Sequence, residues 1–267
     1  MGGRGSTVGS GRYTRITFVT SGTQTGGGSG AVNQQATNVA NQAPTQNNTP
    51  VIPDAVKKLS QMSDDDMAKL YNKSKRVDMP NHLKDMSDKT QKFVYMAGIN
   101  EKPQVLDKKS FNKYLKDNNI PRSDILARSV GGASYSVNGV QINLSPQQVT
   151  GMIKDSDLTY VGGKRGGQLS GAGTYFDMNG GRNTGYSSGA TCIGVLSKKA
   201  NIIDRSTLGN RVSSFQRSHP KFAKAVGHYN NDTMSIYALA MGYNVIRNGS
   251  YHNVIDRAAL VMRAEDL

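Results

Sequence analysis

The chain has 267 residues, enough for one sizeable domain with an appendage. Its 33 Lys and Arg residues outnumber 19 Asp and Glu residues, so the formal net charge is +14 and anionic partners are favoured. The single cysteine, Cys192, excludes an internal disulfide and a cysteine-cluster metal site. No apolar run approaches the roughly 18 residues of a membrane span, and Met1 to Arg15 lacks the apolar core of a secretory signal.

Residues 1–50 contain no acidic residue and consist mostly of small and amide-bearing residues. A segment of this composition buries too little apolar surface to offset the entropy lost on ordering. We therefore predict a flexible, disordered arm, with 16–19 as its only candidate strand. The arm carries Arg4, Arg12 and Arg15, which leaves two interpretations: a passive tail, or a tether for an anionic partner.

Residues 51–120 are predicted to form a small helical subdomain. Ser63 followed by three aspartates is typical of a helix N-terminus, because a serine caps free amides and acids favour the positive end of the helix dipole. A second helix is predicted from Ser87-Asp88 to Gly98, and a third from Asp107 or Ser110.

Residues 121–267 alternate short strand-like runs with glycine-rich loops, which predicts an α+β domain on a split, mostly antiparallel sheet. Strands are predicted at 124–130, 134–142, 173–177, 190–197, 243–247, 252–256 and 259–263. Helices are predicted from Ser145-Pro146 to Ile153 and from Asn231-Asp232 to Gly242. A doubly wound nucleotide fold is not favoured, because neither a GxGxxG unit after a strand nor a GxxxxGK[ST] loop is present.

Three features of this domain are candidate ligand contacts. Arg128 ends an apolar run, where a guanidinium can hold a phosphate or a ribose hydroxyl, or lie on the surface of an edge strand. In 162–173, six glycines bracket Lys164 and Arg165, a pattern that suits a pyrophosphate or a plain mobile loop. Tyr175 and Tyr186 lie eleven residues apart and either sandwich a flat ring or fill a core.

These features resemble a known family over about 120–263. Leu126 to Ser129 resembles its first motif, a strand that ends in Arg or His, and Gly171 to Phe176 is similar to its glycine-rich Tyr-Phe motif. Tyr186 falls at the spacing of the family's second tyrosine, which stacks on nicotinamide. The family is the catalytic domain shared by ADP-ribosyltransferases and poly(ADP-ribose) polymerases. Later stretches resemble its following strands: Ala190 to Val195, Ala240 to Ile246 and Val254 to Val261.

The resemblance implies an ADP-ribosyltransferase-like fold that uses NAD as a substrate. It implies that Arg128 holds a ribose or the phosphates, that the Ser129 backbone amide holds the carboxamide, and that Tyr175 and Tyr186 frame the nicotinamide. The cofactor-binding set is Arg128, Ser129, Gly173, Tyr175, Phe176 and Tyr186. No metal site is predicted, because no histidine pairs with a nearby Cys or His at useful spacing. The 80–130 stretch and the Met-Gly-Gly-Arg-Gly start resemble bacteriophage-encoded members.

The family's catalytic glutamate has no counterpart here. In register with Asp256, its position is occupied by Tyr251, whereas the family uses the acid to stabilise the charge that develops as nicotinamide leaves. Three alternatives stay open. Asp256 or Asp177 supplies the carboxylate, Asn253 or His252 acts as a substitute, or the domain binds NAD without catalysis. The catalytic set we favour is Arg128, Tyr175 and Asn253.

The leading hypothesis is an NAD-dependent ADP-ribosyltransferase that modifies a macromolecule, with a host protein as the favoured acceptor. The alternative is a non-catalytic, basic phage structural or nucleic-acid-binding protein on a degenerate form of the same fold, with contacts through the basic surface and the arm. An inhibitor that mimics a ligand-binding fold is a third class. The expected location is the host cytoplasm or a phage virion, with no membrane partner.

Overall fold

A computed structural model describes residues 50–79, 89–130, 135–137, 140–142, 171–178 and 190–264 of the protein. Several predictions lie outside these residues: the arm up to residue 49, the helix start at 87–88, the helix at 145–153, the loop residues 162–170, and Tyr186. The backbone of Ser129 is described, whereas its side chain is not.

The described residues form an α+β architecture, as predicted. Its helices are α1 (Asp54–Ser60), α2 (Asp64–Ser74), α3 (Lys89–Met96), α4 (Lys108–Asp117), α5 (Arg205–Ser218), α6 (Pro220–Val226) and α7 (Met234–Ala240). Its strands are β1 (Gln104–Leu106), β2 (Leu126–Val130), β3 (Tyr135–Val137), β4 (Val140–Ile142), β5 (Thr174–Asp177), β6 (Ala190–Leu196), β7 (Ile202–Asp204), β8 (Val245–Asn248), β9 (Tyr251–Val254) and β10 (Leu260–Arg263). Short 3₁₀ helices cover Arg122–Asp124 and Arg257–Ala259.

Eight strands form one sheet in the order β1-β10-β6-β2-β5-β9-β8-β7, and β3 and β4 form a separate hairpin. The outermost pairs, β1 with β10 and β7 with β8, are parallel, and the pairs between them are antiparallel. The prediction of a mostly antiparallel sheet is therefore confirmed. The stretch predicted as one strand at 134–142 is instead the β3–β4 hairpin.

The middle of the sheet is its weakest junction. β2 and β5 share a single register pair, Ala127 with Asp177, whereas β2 pairs with β6 along its whole length from Leu126 to Val130. The sheet thus consists of two four-stranded halves that meet at one residue pair. Beyond Ala127, β2 continues along β6 and no longer pairs with β5 in the described part of the chain.

Apolar side chains cover the sheet on both faces. One cluster joins α1, α2 and α3 to α5, α6 and α7, and it is centred on Tyr71, Phe93, Phe222 and Tyr237. A second cluster contains Phe176, Cys192 and Leu260 from the sheet. Helices from the 51–120 range therefore share a core with helices that follow residue 200.

Two helix starts and two helix ends lie where the sequence predicted them, and each is stabilised by a cap or a glycine within a few residues. The Ser63 side chain accepts a hydrogen bond from the Asp66 amide at 3.2 Å, and the Asp107 side chain accepts one from the Ser110 amide at 2.9 Å. Gly98 and Gly242 follow α3 and α7 with φ of 71° and 87°, the left-handed conformation that ends many helices.

The sequence prediction missed α1, α5, α6, β1 and β7. Helix α5 buries Leu208 and Val212 and partly buries Phe215, so its apolar stripe has only three residues among fourteen. Pro220 opens α6 directly after α5, at the first helical position where its missing N–H costs nothing. β1 and β7 have three residues each, too few to display alternation.

Candidate functional site

The three strands that carry the predicted motifs are neighbours in the sheet. β5 lies between β2 and β9, so Arg128, Tyr175 and Asn253 come from adjacent strands. Tyr175 is directly opposite Asn253 in the β5–β9 pairing. These residues therefore surround the junction between the two halves of the sheet, although they are up to 125 positions apart in the sequence (253 − 128 = 125).

Arg128 spans that junction with its side chain. Its Nη1 atom donates a hydrogen bond of 2.9 Å to the carbonyl oxygen of Tyr175, and its own carbonyl oxygen accepts one from the Cys192 thiol at 3.6 Å. The residue as a whole is half-buried, and its Nε atom is fully enclosed. Burial lowers the pKa of the guanidinium from its usual value, but an arginine remains a cation at neutral pH.

Tyr175 is fixed to the glycine-rich turn in front of its strand. Its hydroxyl donates a short hydrogen bond to the carbonyl oxygen of Gly171. The ring is half-buried. The next residue, Phe176, was predicted to contact the cofactor, but its side chain is 1% exposed and lies in the second apolar cluster. Phe176 therefore packs the sheet and does not face a solvent-accessible cleft.

The Gly171–Gly173 turn is packed tightly against two polar residues, Ser235 and Asn253. The Ser235 hydroxyl donates to the carbonyl oxygen of Ala172 at 2.6 Å, and the Asn253 amide nitrogen contacts that oxygen at 3.4 Å and the Ser235 hydroxyl at 3.3 Å. Any side chain at Gly171 would overlap the Ser235 hydroxyl and lie 2.9 Å from the Ser235 amide nitrogen. Only glycine fits there, because φ is also 85°.

Asn253 is completely buried. Its amide connects β9 to the turn and to the start of α7, so we interpret it as a residue that positions β5. The sequence prediction included Asn253 as a substitute because it lies two residues from Tyr251, on the same face of the predicted strand. It did not find Ser235, because a serine at the start of a helix gives no sign that it contacts a turn 63 residues earlier.

Tyr251, the residue that the sequence resemblance aligns with the family's glutamate, is 45% exposed. Asp177 is its direct cross-strand neighbour on β5 and is 3% exposed. Because paired residues in a sheet point to the same face, Asp177 shares a face with Tyr251, Tyr175 and Asn253. Of the two acids that the sequence offered as substitutes, Asp177 and Asp256, Asp177 is the one that lies beside Tyr251.

Asp256 and His252, the other candidates to replace the family's glutamate, do not lie beside Tyr175 and Asp177 on this face. Asp256 caps a 3₁₀ helix by accepting a hydrogen bond from the Ala258 amide at 3.0 Å, and burial raises the pKa of its carboxyl. His252 faces the opposite side of β9 and is 3% exposed. Burial, reinforced by the charge of Arg247, lowers the pKa of His252 to about 4, so its imidazole is neutral at physiological pH.

Ser129 lies one residue beyond Arg128, where β2 pairs only with β6 in the described part of the sheet, opposite Thr191.

No group of three or more His, Cys, Asp or Glu residues is arranged to hold a metal ion in the described ranges. The described helices are all too short or too polar to cross a membrane.

Comparison of the chain with protein-family models, curated proteins and solved structures found no match.

Proposed function

We propose that the protein is an ADP-ribosyltransferase that binds NAD at the junction of β2, β5 and β9 and transfers ADP-ribose to a macromolecular acceptor, with a protein as the favoured acceptor. The observation that carries the proposal is the hydrogen bond from Arg128 to the Tyr175 carbonyl oxygen. It joins the two motif strands at the point where the sheet opens, with a buried cation at the opening.

The proposed reaction breaks the bond between the ribose and the nicotinamide nitrogen. Nicotinamide leaves with the bonding electron pair, positive charge develops on the ribose, and a nucleophile of the acceptor forms the new bond and loses its proton. Arg128 holds a ribose or a phosphate of NAD in this scheme. The ring of Tyr175 lies against the nicotinamide, and Ser129 presents its backbone amide to the carboxamide.

Among the acids considered, Asp177 is the preferred source of the negative charge that the reaction needs. It is the cross-strand neighbour of Tyr251 and the register partner of Ala127. Arg128 follows Ala127, so its side chain leaves β2 on the opposite face and meets β5 through its hydrogen bond to the Tyr175 carbonyl oxygen. A carboxylate at position 177 lies one strand away from Tyr251, which the resemblance aligns with the family's glutamate, and on the same face of the sheet. In this scheme Asn253 does not touch the substrate and acts through the Gly171–Gly173 turn.

The test is calorimetric titration of the full chain with NAD, together with measurement of nicotinamide release on the same sample. Arg128→Gln should weaken NAD binding at least tenfold, because a charged hydrogen-bond donor contributes more than about 1.4 kcal/mol. The matched control is Arg122→Gln, an exposed arginine just before β2. Circular dichroism melting verifies that both variants are folded.

Two results would overturn the proposal. One is a parent protein that shows neither saturable NAD binding nor nicotinamide release. The other is NAD binding that Arg128→Gln and Arg122→Gln alter equally. Binding without release in the absence of an acceptor supports the NAD site, and addition of candidate acceptor proteins then tests the transfer step.

A further inference from the structure

A cavity lies at the far edge of the sheet, away from Arg128. It has a volume of about 540 Å³, is open to solvent and is lined by the end of β7, the start of α5, the loop before α7 and the β8–β9 turn. Cavities that hold small organic ligands have volumes of about 300–1,000 Å³. Three strand spacings separate β2 from β8, or about 14 Å, so Arg128 does not line this cavity, whereas its lining residue Asn248 pairs with Tyr251 of β9.

Five of the polar residues that line the cavity have side chains without a hydrogen bond or ion pair to another described residue. The side chains of Arg205, Ser206, Tyr229, Asn231 and Asn248 line it. None of the five makes a side-chain hydrogen bond or ion pair with another residue that the structure describes. A guanidinium, two hydroxyls and two amides therefore face one concave space with their hydrogen-bonding capacity unused by the described protein.

The charge of the cavity is positive. Among the described residues its only lining acid is Asp204, which accepts two hydrogen bonds from Arg247, from Nε at 2.7 Å and from Nη2 at 3.0 Å. The same arginine lowers the pKa of the Asp204 carboxyl, so this ion pair persists at neutral pH. Within the described part of the chain, Arg205 has no carboxylate partner, and an anion beside it would gain a charge-assisted hydrogen bond.

The start of α5 adds to this potential. Asp204 occupies the N-cap but makes no side-chain capping bond, and the first turn contains no acid. The positive end of a helix dipole therefore points into the cavity next to Arg205. A phosphate fits this corner better than a carboxylate, because its additional oxygens can accept from Arg205, the Ser206 hydroxyl and the backbone together.

The opposite wall suits a flat, polar ring. Tyr229 lies beside Gly209 of α5, where an added Cβ would be 3.9 Å from the edge of its ring, and it meets the ring of Tyr237 in a T-shaped contact with centroids 6.1 Å apart. Met234 adds an apolar surface. Asn231 and Asn248 provide amides that both donate and accept, the combination that reads the edge of a nucleobase.

We propose that this cavity binds a phosphorylated nucleoside, with the phosphate at Arg205 and Ser206 and the base between Tyr229 and the two asparagines. The ligand is either a free mononucleotide or the phosphorylated end of a nucleic acid. This site does not depend on the reaction proposed at Arg128. It also provides a localised anion site on a chain whose formal charge is +14.

The test uses the full chain and three probes: AMP, adenosine and inorganic phosphate, each titrated by calorimetry. AMP should bind at least tenfold more tightly than either fragment. Arg205→Gln should weaken AMP binding at least tenfold, whereas Arg217→Gln, an exposed arginine in the last turn of the same helix, should leave it unchanged. Asp204→Asn should tighten AMP binding, because it leaves Arg247 uncompensated.

Three outcomes would overturn the assignment: no saturable AMP binding, equal affinity for AMP and phosphate, or loss of AMP binding in Arg128→Gln but not in Arg205→Gln. The last result places AMP in the NAD site instead. A 5′-phosphorylated dinucleotide then distinguishes the two sources: tighter binding than AMP indicates a nucleic-acid end, and equal binding indicates a mononucleotide.

Discussion

Gly173 lies so close to Asn253 that a Cβ atom added to the glycine would overlap the amide oxygen of the asparagine and lie 2.8 Å from the carbonyl oxygen of Val254. Gly173 directly precedes β5 and Asn253 lies in β9, two strands that the candidate site requires to be adjacent. Because neither the buried amide nor the strand backbone can move freely, only a glycine allows β5 to approach β9 at this point.

Gly173→Ala should therefore destabilise the protein by about 1–3 kcal/mol, the usual cost of overpacking a close-packed site. Gly209→Ala is the matched control, because the nearest atom to its added Cβ is 3.9 Å away in the middle of α5. An alanine there should increase stability by about 0.5–1 kcal/mol. Urea unfolding of both variants measures the difference, and equal unfolding midpoints would refute the packing argument.

Asn253 provides a second test of the same connection. Asn253→Asp replaces a buried amide donor with a carboxylate that repels the carbonyl oxygen of Ala172, so stability at pH 7 should fall by at least about 1–3 kcal/mol. Part of this loss should return near pH 5, where a protonated carboxyl can donate again. Asn231→Asp, at an exposed loop residue, should change stability little at either pH. A pH-independent loss for Asn253→Asp would contradict this explanation.

Local signals in the sequence predicted a large part of the fold. The caps at Ser63 and Asp107 and the glycines after α3 and α7 define helix ends through contacts within a few residues. β5, β6, β8, β9 and β10 were predicted from apolar runs separated by turns. α5 and the short parallel strands β1 and β7 were missed, because they depend on partners that are distant in the sequence.

The sequence likewise predicted part of the candidate site, namely the strands that carry it. The order of Arg128, Tyr175 and Asn253 along the chain predicted three strands, and the structure places those strands side by side. The burial of Phe176 and the contacts of Ser235 were not predictable, because they depend on how strands and helices pack and not on local pattern. The cavity at Arg205 was not predicted for the same reason: four separate segments form it.

His252 makes stability depend on pH. Its pKa is about 4 in the folded protein because burial and Arg247 disfavour the charged imidazole, whereas the unfolded value is 6.5. The unfolded state therefore binds more protons between these values, so stability is fully present above pH 6.5 and is lost as pH falls towards 4. Because a difference of one in pKa corresponds to ~1.4 kcal/mol, the total loss is about 3 kcal/mol.

His252→Leu removes this titration while keeping a buried side chain of similar size. The difference in unfolding free energy between the variant and the parent should shift in favour of the variant as pH is lowered from 7 to 4, by up to ~3 kcal/mol. His228→Leu is the control, because His228 is exposed in the loop before α7. A difference that does not change with pH would show that His252 titrates alike in the folded and unfolded states.

Asp177 is the residue proposed to supply the negative charge that stabilises the ribose cation in the reaction. Asp177→Asn keeps the size of the side chain but removes its charge, so nicotinamide release should fall by about 10²–10³-fold, the effect of losing one electrostatic stabiliser of a transition state. NAD affinity should change much less, because the charge acts on the ribose cation and not on bound NAD. The control is Asp256→Asn, since Asp256 caps a 3₁₀ helix and borders the end of β9. Equal rates for parent and Asp177→Asn would exclude Asp177. Equal slowing by both variants would indicate a general loss of structure, which thermal melting of each protein would detect.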